Sequence, residues 1–563
     1  MCGIWAYVNV KNKQLDTVKL FQDFYNLKHR GPDNSFFETY HNVLIGFHRL
    51  AIMNDTFTSN QPFIYEDDLR TIVFMCNGEI YNYKELAEIY NLDVKNDCMI
   101  LPEIYYSLCK SDNESDFNRV IREEVKGEFS CLLFEFDRLK NLKRVIAARD
   151  EIGIRPLYYN ANDTLFFTSE LKGGLSFEGE LREFPPGTII TYDICELGNM
   201  IVDIDTFSRV YDTISHSIDS VKNLDNIRNS VMNSVRRRLN ADKPFAFLLS
   251  GGVDSSLVAA ISAKILGKPI RTFCCGMSEG TDLKYARMVA EHIGSNHTEV
   301  IFTEQEGLDA IEDVIRTVES WDTTTIRASV GQYLVSKYIG TKTDCKVVMV
   351  GEGPDEVCSS YLFNWYAPDG DALDLEARKY VKNIHHYDVK RADRCISRWG
   401  LEGRVPLLDP EFIEAYWKIL PEFRMPTYKN MEKWWLREAF NNTGILPDDV
   451  LWRKKEAFSD GVSGKKSGEK SGEKSSEKSG KKSGEKSWYK IIQDWVETQV
   501  TDEEFSSNTY GTKTKEAYYY RKVFSKLFFN RDRIIPGYWQ PKWSSDGEVK
   551  EYIDPSARIL DVY

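Results

Sequence analysis

Two fold classes are expected in series along this 563-residue chain: packed antiparallel sheets with a few helices, then an α/β, doubly wound parallel sheet. Three observations lead there. Residues 1 to about 190 are a succession of short β-like runs cut by turn residues. From about residue 225, short apolar runs alternate with amphipathic helical stretches, the rhythm of a parallel sheet. The length itself exceeds one typical domain.

The early runs are IWAYVNV, NVLIGFHRLAI, RTIVFMCNGEIYNY, GEFSCLLFEFD, NLKRVIAARD and TLFFTSELK, with RGPDN and NGE as turns between them. EFPPGTII (183–190) carries two prolines and a glycine, and it marks the expected domain edge. Residues 191–224 then read as a linker, and 225–563 as the second domain. There FAFLL (245–249) enters SGGVDSS (250–256) and a helix-like LVAAISAKILG. RTFCCGM, DLKYARMVAEHIG, HTEVIF and a long helical stretch follow, up to KVVMV (346–350). Residues 370–440 read as mostly helical. Residues 463–487, SGKKSGEKSGEKSSEKSGKKSGEKS, hold eight Lys, four Glu and no apolar residue. Such a segment cannot bury enough surface to offset its ordering entropy and is expected to be a disordered insertion. It lacks the GxxxxGK[ST] spacing of a P-loop.

Composition excludes several classes. The net charge of −13 gives no electrostatic footprint for nucleic acid. No apolar run is long enough to span a membrane, and the start lacks the pattern of a signal peptide. Eleven scattered cysteines without a CxxC pair argue against zinc and for reduced thiols in a cytoplasmic setting.

Cys2 is the first candidate for chemistry. With Met1 removed, its own α-amine, of pKa about 7.7–8.0, would stand beside its thiol as a general base. A thiolate attacking an amide creates an oxyanion. Asn77 and Gly78, in a turn at NGE (77–79), can offer a side-chain amide and a backbone N–H to it. An amino-acid substrate needs a cation for its carboxylate, a task suited to Arg49, and carboxylates for its ammonium, suited to Glu79 and Asp97.

These residues lie in strings that resemble the glutamine amidotransferase domain of the N-terminal-nucleophile class: MCGIW, HRGPD (29–33), HRLAI (48–52), NGEIYN (77–82), NDC around Asp97 and RDEIGIRPLYY (149–159). The resemblance covers 2–190 and implies an α+β sandwich of αββα layers. It also implies that Cys2 releases ammonia from glutamine, with Asn77 and Gly78 as oxyanion hole. Glutamine would be gripped by Arg49, Glu79, Asp97 and the backbone of Leu50, Ala51, Ile52 and Met53.

In the second domain, SGGVDSS follows a strand and opens a helix. Glycines let backbone N–H groups approach a phosphate, serines add donors, and the helix N-terminus favours an anion. Asp254 in such a loop suits Mg²⁺. A second acidic loop, GEGPDEV (351–357), follows KVVMV, so Asp355 can share the metal and Glu352 can face the reacting centre. Lys455, in WRKKEAFSDG, can neutralise charge developing in an acyl-adenylate reaction.

These strings, with GTDLKYA, TTIRAS (324–329), YDVKRADR (387–394), LEGRVPLLD (401–409), KNMEKWWLRE, TKEAYYYR and DPSAR, resemble the ATP-pyrophosphatase domain of glutamine-hydrolysing asparagine synthetases. The resemblance implies a ligase of amino-acid biosynthesis that adenylates aspartate with ATP and Mg²⁺. Ammonia from glutamine then converts the β-aspartyl-AMP to asparagine. It implies that Ser250, Gly251, Gly252, Asp254, Ser255 and Ser256 hold pyrophosphate and Mg²⁺. Leu249, Cys275, Val350 and Gly351 would line the nucleotide site, with Thr324, Thr325 and Arg327 near aspartate. Glu352 would serve as acid–base residue and Lys455 would stabilise adenylation. Three departures stand out: Val350 and Pro354, where the family has SGEGSDE, and the 463–487 insertion. Another carboxylate acceptor and a catalytically silent relative remain as alternatives, and the oligomeric state, with a homodimer as one option, is open.

Overall fold

The computed structural model describes residues 1–9, 16–40, 42–162, 164–195, 200–208, 214–278, 280–455 and 487–550. The insertion expected to be disordered lies outside these residues except for Ser487, which precedes a helix over Trp488–Gln499.

The first domain is two antiparallel six-stranded sheets. One contains β1 (Gly3–Val8), β2 (Asn34–Tyr40), β3 (Val43–Arg49), β8 (Tyr158–Ala161), β9 (Leu165–Thr168) and β10 (Arg182–Glu183), ordered β10-β8-β9-β1-β3-β2. The other contains β4 (Phe63–Glu66), β5 (Arg70–Ile80), β6 (Gly127–Asp137), β7 (Leu142–Arg149), β11 (Thr188–Ile194) and β12 (Met200–Thr206), ordered β12-β11-β7-β6-β5-β4. Alternation along β1 explains the layering: Ile4, Ala6 and Val8 enter the core with Phe74, Leu132 and Phe134, while Trp5 and Tyr7 point to the opposite face. There α1 (Thr17–Tyr25) adds Leu20 and Phe24. On the second sheet, α2 (Tyr83–Tyr90) and α3 (Ile100–Lys110) supply Leu86, Ile100, Leu101 and Ile104 to the core. The expected αββα sandwich is therefore the observed one. The boundary at residue 190 needs correction, because 190 lies inside β11 and the stretch read as linker contributes β12 to the sheet. The prolines at 185–186 sit before β11, where they interrupt no ladder.

The second domain begins at α4 (Ser220–Arg238). Its sheet is wholly parallel, ordered β15-β14-β13-β16-β17, with β13 (Phe245–Leu248), β14 (Arg271–Gly276), β15 (Asn296–Ile301), β16 (Val347–Met349) and β17 (Glu402–Arg404). Chain order reverses between β13 and β16, so the loops after these strands flank a crevice at their carboxyl ends. The first loop opens α5 (Val253–Leu266); further helices are α6 (Thr281–Ile293), α7 (Thr323–Lys342), the short α8 (Pro354–Val357), α9 (Asp388–Ser397), α10 (Trp434–Ala439) and α11 (Lys515–Leu527).

Buried charges join the domains. Arg30 pairs with Asp393, Glu79 with Arg404, Glu128 with Arg238, and Glu183 with His385 and His386. Arg155 donates to Gly403 O at 2.9 Å, and Leu171 N–H to Glu319 at 2.8 Å.

Candidate active sites

Cys2 immediately precedes β1 and is buried. Its N–H donates to Asn77 Oδ1 at 2.7 Å, the Leu50 N–H lies 3.5 Å from its sulfur, and its carbonyl accepts from Arg30 Nε at 2.9 Å. Asn77 has no exposed surface, and its Nδ2 has no hydrogen-bond partner among the described residues. The amide is thus anchored to the Cys2 backbone by its oxygen and leaves its buried N–H donors unused. Gly78 is required by close approach, since a methyl group there would lie 2.1 Å from Glu128 O. Burial pushes the Cys2 thiol up, and the ammonium of Met1 opposes the shift. That ammonium sits 3.3 Å from Glu402, with its own pKa lowered by burial.

Glu79, near the end of β5, and Asp97 are buried close enough for the charge of Asp97 to act on Glu79. Glu79 lies 3.0 Å from Arg404, yet burial outweighs that cation and holds its carboxyl well above the usual range. Burial likewise raises Asp97 to about 6, against the Ile80 N–H donating at 2.9 Å. Arg49 does not present a free fork. It donates to Asn60 Oδ1 at 2.7 Å and to the carbonyls of Met53, Asn54 and Thr56, so it shapes the loop after Leu50. Ala51 N–H in that loop donates to Asp33 at 2.8 Å, and Ile52 O accepts from Asp242 N–H.

The crevice of the second domain is a cavity of about 300 Å³. Leu249, Ser250, Gly252, Asp254, Ser255, Cys275, Thr324, Arg327, Val350, Gly351, Glu352, Asp355 and Lys455 all line it. Three expected residues do not. Gly251 packs at φ +74 against Tyr285, Ser256 is wholly buried, and Thr325 bonds Asp322 at the start of α7. The two loops touch: a methyl group on Gly351 would lie 2.6 Å from Ser255 N. Pro354 occupies the first position of α8, where no N–H is needed, so this departure costs the loop little.

The acidic pair is clasped by a lysine that sequence reasoning left without a role. Lys433 Nζ is 2.5 Å from Asp254 Oδ2 and 2.5 Å from Asp355 Oδ1, and Lys455 Nζ is 2.5 Å from Asp355 Oδ2. Burial alone would raise Asp355, but Lys433 and Lys455 outweigh it and hold the group low. Asp254 is raised by burial, against Lys433, and its buried Oδ1 has no hydrogen-bond partner among the described residues. Two convergent carboxylates, one with an orphaned oxygen, fit a hard cation such as Mg²⁺.

Glu352 accepts from Arg391 at 2.7 Å, and Arg391 also meets Asp388 at 2.8 Å. Burial, opposed by Arg391, brings Glu352 to about 7. Arg327 is gripped at both ends by Glu516 of α11, at 2.7 and 2.6 Å. Lys433, Asp388, Arg391 and Glu516 all lie in strings singled out above (KNMEKWWLRE, YDVKRADR, TKEAYYYR), which was the available signal.

Comparison with known proteins matches residues 1–184 to the glutamine amidotransferase domain family and residues 226–378 and 365–548 to the asparagine synthase family. The asparagine synthetase [glutamine-hydrolyzing] of Gallus gallus is 36% identical over 603 residues, covering 100% of this chain and 99% of that protein. The Homo sapiens protein of the same name is 35% identical over 613 residues, with the same coverage. A solved glutamine phosphoribosylpyrophosphate amidotransferase from B. subtilis overlays with TM-score 0.30 and 15% identity, over 53% of this chain and 81% of that one. Fold and domain order define a two-domain, glutamine-dependent amidotransferase. Within that class, the chain belongs to the asparagine synthase family.

Proposed function

We propose that this enzyme makes asparagine from aspartate, with ammonia taken from glutamine and ATP split to AMP and pyrophosphate, and that the residues above divide the work as follows. In the first domain Cys2 attacks the glutamine side-chain amide. Met1 must first be removed, which leaves the α-amine of Cys2 as base, held by Asn77 Oδ1. The oxyanion falls to Asn77 Nδ2 and the Gly78 N–H. The observation that carries this reading is the buried Asn77 Nδ2, without a partner among the described residues, on an amide whose oxygen is bound to the Cys2 N–H. Glu79 and Asp97, both raised by burial, would take the substrate ammonium, which would draw both toward ionisation. Arg49 acts on glutamine through the 50–53 backbone it shapes.

In the second domain Ser250, Gly252, Ser255 and the α5 N-terminus cradle phosphates. Leu249, Cys275, Val350 and Gly351 face the nucleotide, while Thr324 and Arg327 serve the aspartate end. Asp254 and Asp355 would hold Mg²⁺, which supplies charge neutralisation on the phosphates when bound. Lys455 stabilises charge as aspartate displaces pyrophosphate, and Glu352 takes the proton released when ammonia attacks the adenylate. Among the described residues no helix is long and apolar enough to cross a membrane. The eleven free cysteines support a cytoplasmic, reducing setting.

Incubation with glutamine, aspartate, ATP and Mg²⁺ tests the reading. Asparagine, glutamate, AMP and pyrophosphate should rise in equal amounts; glutamate alone would refute it.

A further inference from the structure

One buried polar group on the cavity wall is unused by the chemistry above. The face of α7 that lines the cavity carries Thr324, Arg327, Ala328, Gln332 and Val335. At 1.5 Å per residue, this wall runs about 16 Å from Thr324 to Val335. Thr324 lies at the acceptor end. Val335 marks the other end, where the Cys275 thiol lies against its backbone. Gln332 stands one turn before Val335. Its side chain is buried, 5% exposed, and its Oε1 has no hydrogen-bond partner among the described residues. Leu249, Phe273, Cys275 and Val335 line the same cavity, and their side chains carry no polar group other than a thiol. An amide left unpaired in such surroundings carries a cost that a ligand's hydrogen bonds relieve.

We propose that Gln332 reads the purine base of the nucleotide. Its carboxamide presents an acceptor and a donor side by side, which matches a 6-amino group next to a ring nitrogen. The 6-amino N–H donates to Oε1, and Nε2–H donates to the ring nitrogen. Gln332 is then a specificity-determining residue, remote from the reacting phosphate. This inference rests on the reading that Leu249, Cys275 and Val350 hold the nucleotide.

The test uses the full chain with ammonium as nitrogen source and compares ATP with purine-riboside triphosphate, which lacks the 6-amino group. The wild-type enzyme should prefer ATP in kcat/KM by about tenfold, the worth of one such hydrogen bond. Gln332→Met keeps the volume and removes both polar atoms. It should lower kcat/KM for ATP by about 100-fold and for the analogue by about tenfold, so that the preference for ATP disappears, and leave the KM for aspartate within twofold. Gln332→Glu keeps the acceptor and loses the donor, so kcat/KM should fall for both nucleotides while the ATP-to-analogue ratio stays near that of the wild-type enzyme. A ratio unchanged in Gln332→Met, or a shift in aspartate KM in place of nucleotide KM, overturns the proposal. Photolabelling of the wild-type enzyme with 8-azido-ATP separates this failure from failure of the underlying reading. Label within 248–250, 271–276, 328–335 or 349–351 upholds the nucleotide site, and label elsewhere overturns both.

Discussion

Arg30 of the first domain grips Asp393 of the second at two points, with Nη1 2.8 Å from Oδ2 and Nη2 3.2 Å from Oδ1, while its Nε holds the carbonyl of Cys2. Asp393 sits on α9, the helix that also carries Arg391, the partner of Glu352. One helix therefore touches both candidate sites. Asp393→Asn keeps the shape and removes the charge that faces Arg30. Breaking a buried pair on one side costs about 3–5 kcal/mol, although Glu170 still meets Arg30. The expected outcome is looser coupling: glutamate formed per asparagine rises above one, with ammonium-dependent synthesis retained. A ratio that stays at one would show that α9 does not link the sites.

Cys2→Ala should abolish glutamine-dependent synthesis, by at least about 10³-fold, and spare synthesis from ammonium. Equal loss with both nitrogen sources would contradict two separable sites.

Asn77→Ala removes the unpartnered donor. Glutaminase kcat should fall by about 10²–10³, with ammonium-dependent synthesis intact. A change confined to the KM for glutamine would place Asn77 in substrate binding alone.

Glu352, near 7 through burial, should set the pH dependence of the proposed synthetase reaction. The ionised carboxylate is the base, so ammonium-dependent rate at constant free ammonia should rise through about pH 7 and level above it. Arg391 favours the charged form; Arg391→Met should therefore move the rising limb to higher pH. Glu352→Gln should flatten the profile and lower the rate by about 10²–10⁴. A rising limb that does not move in Arg391→Met would sink this assignment.

Lys433→Met removes the cation shared by Asp254 and Asp355 and leaves Lys455 paired with Asp355 alone. Without divalent ions the protein should lose about 3 kcal/mol of stability, and Mg²⁺ should raise its melting temperature more than it does for the wild-type protein. A melting temperature indifferent to Mg²⁺ in the variant would argue that the clasp does not mark a cation site.

Much of this was legible in the chain. The unbroken apolar run GIWAYV gives a strand buried on both faces, and FAFLL before SGGVDSS gives a strand, a phosphate-type loop and a helix. β12 was missed because MIVDIDT is an edge strand: Ile201, Val202 and Ile204 are exposed, and the pairing partner, not burial, makes it a strand. Arg49 was assigned to substrate because its charge type fits, but only the folded loop reveals four acceptors already around it. Lys433 could not be placed from spacing, since it reaches Asp254 across 179 residues at a left-handed backbone position, φ +57. Convergence of that kind belongs to tertiary packing.

The buried ion pairs between the domains also bear on how freely such halves can be exchanged. Severed from its companion, the first domain would expose Arg30, Glu79 and Glu128 with their interdomain partners gone, and the second would expose Asp393, Arg404 and Arg238. A graft joining either half to an unmatched relative would bury charges without counterions, an error costing several kcal/mol at each position. The seam thus works as a proofreading surface, and halves exchanged between relatives should assemble only when these positions travel together.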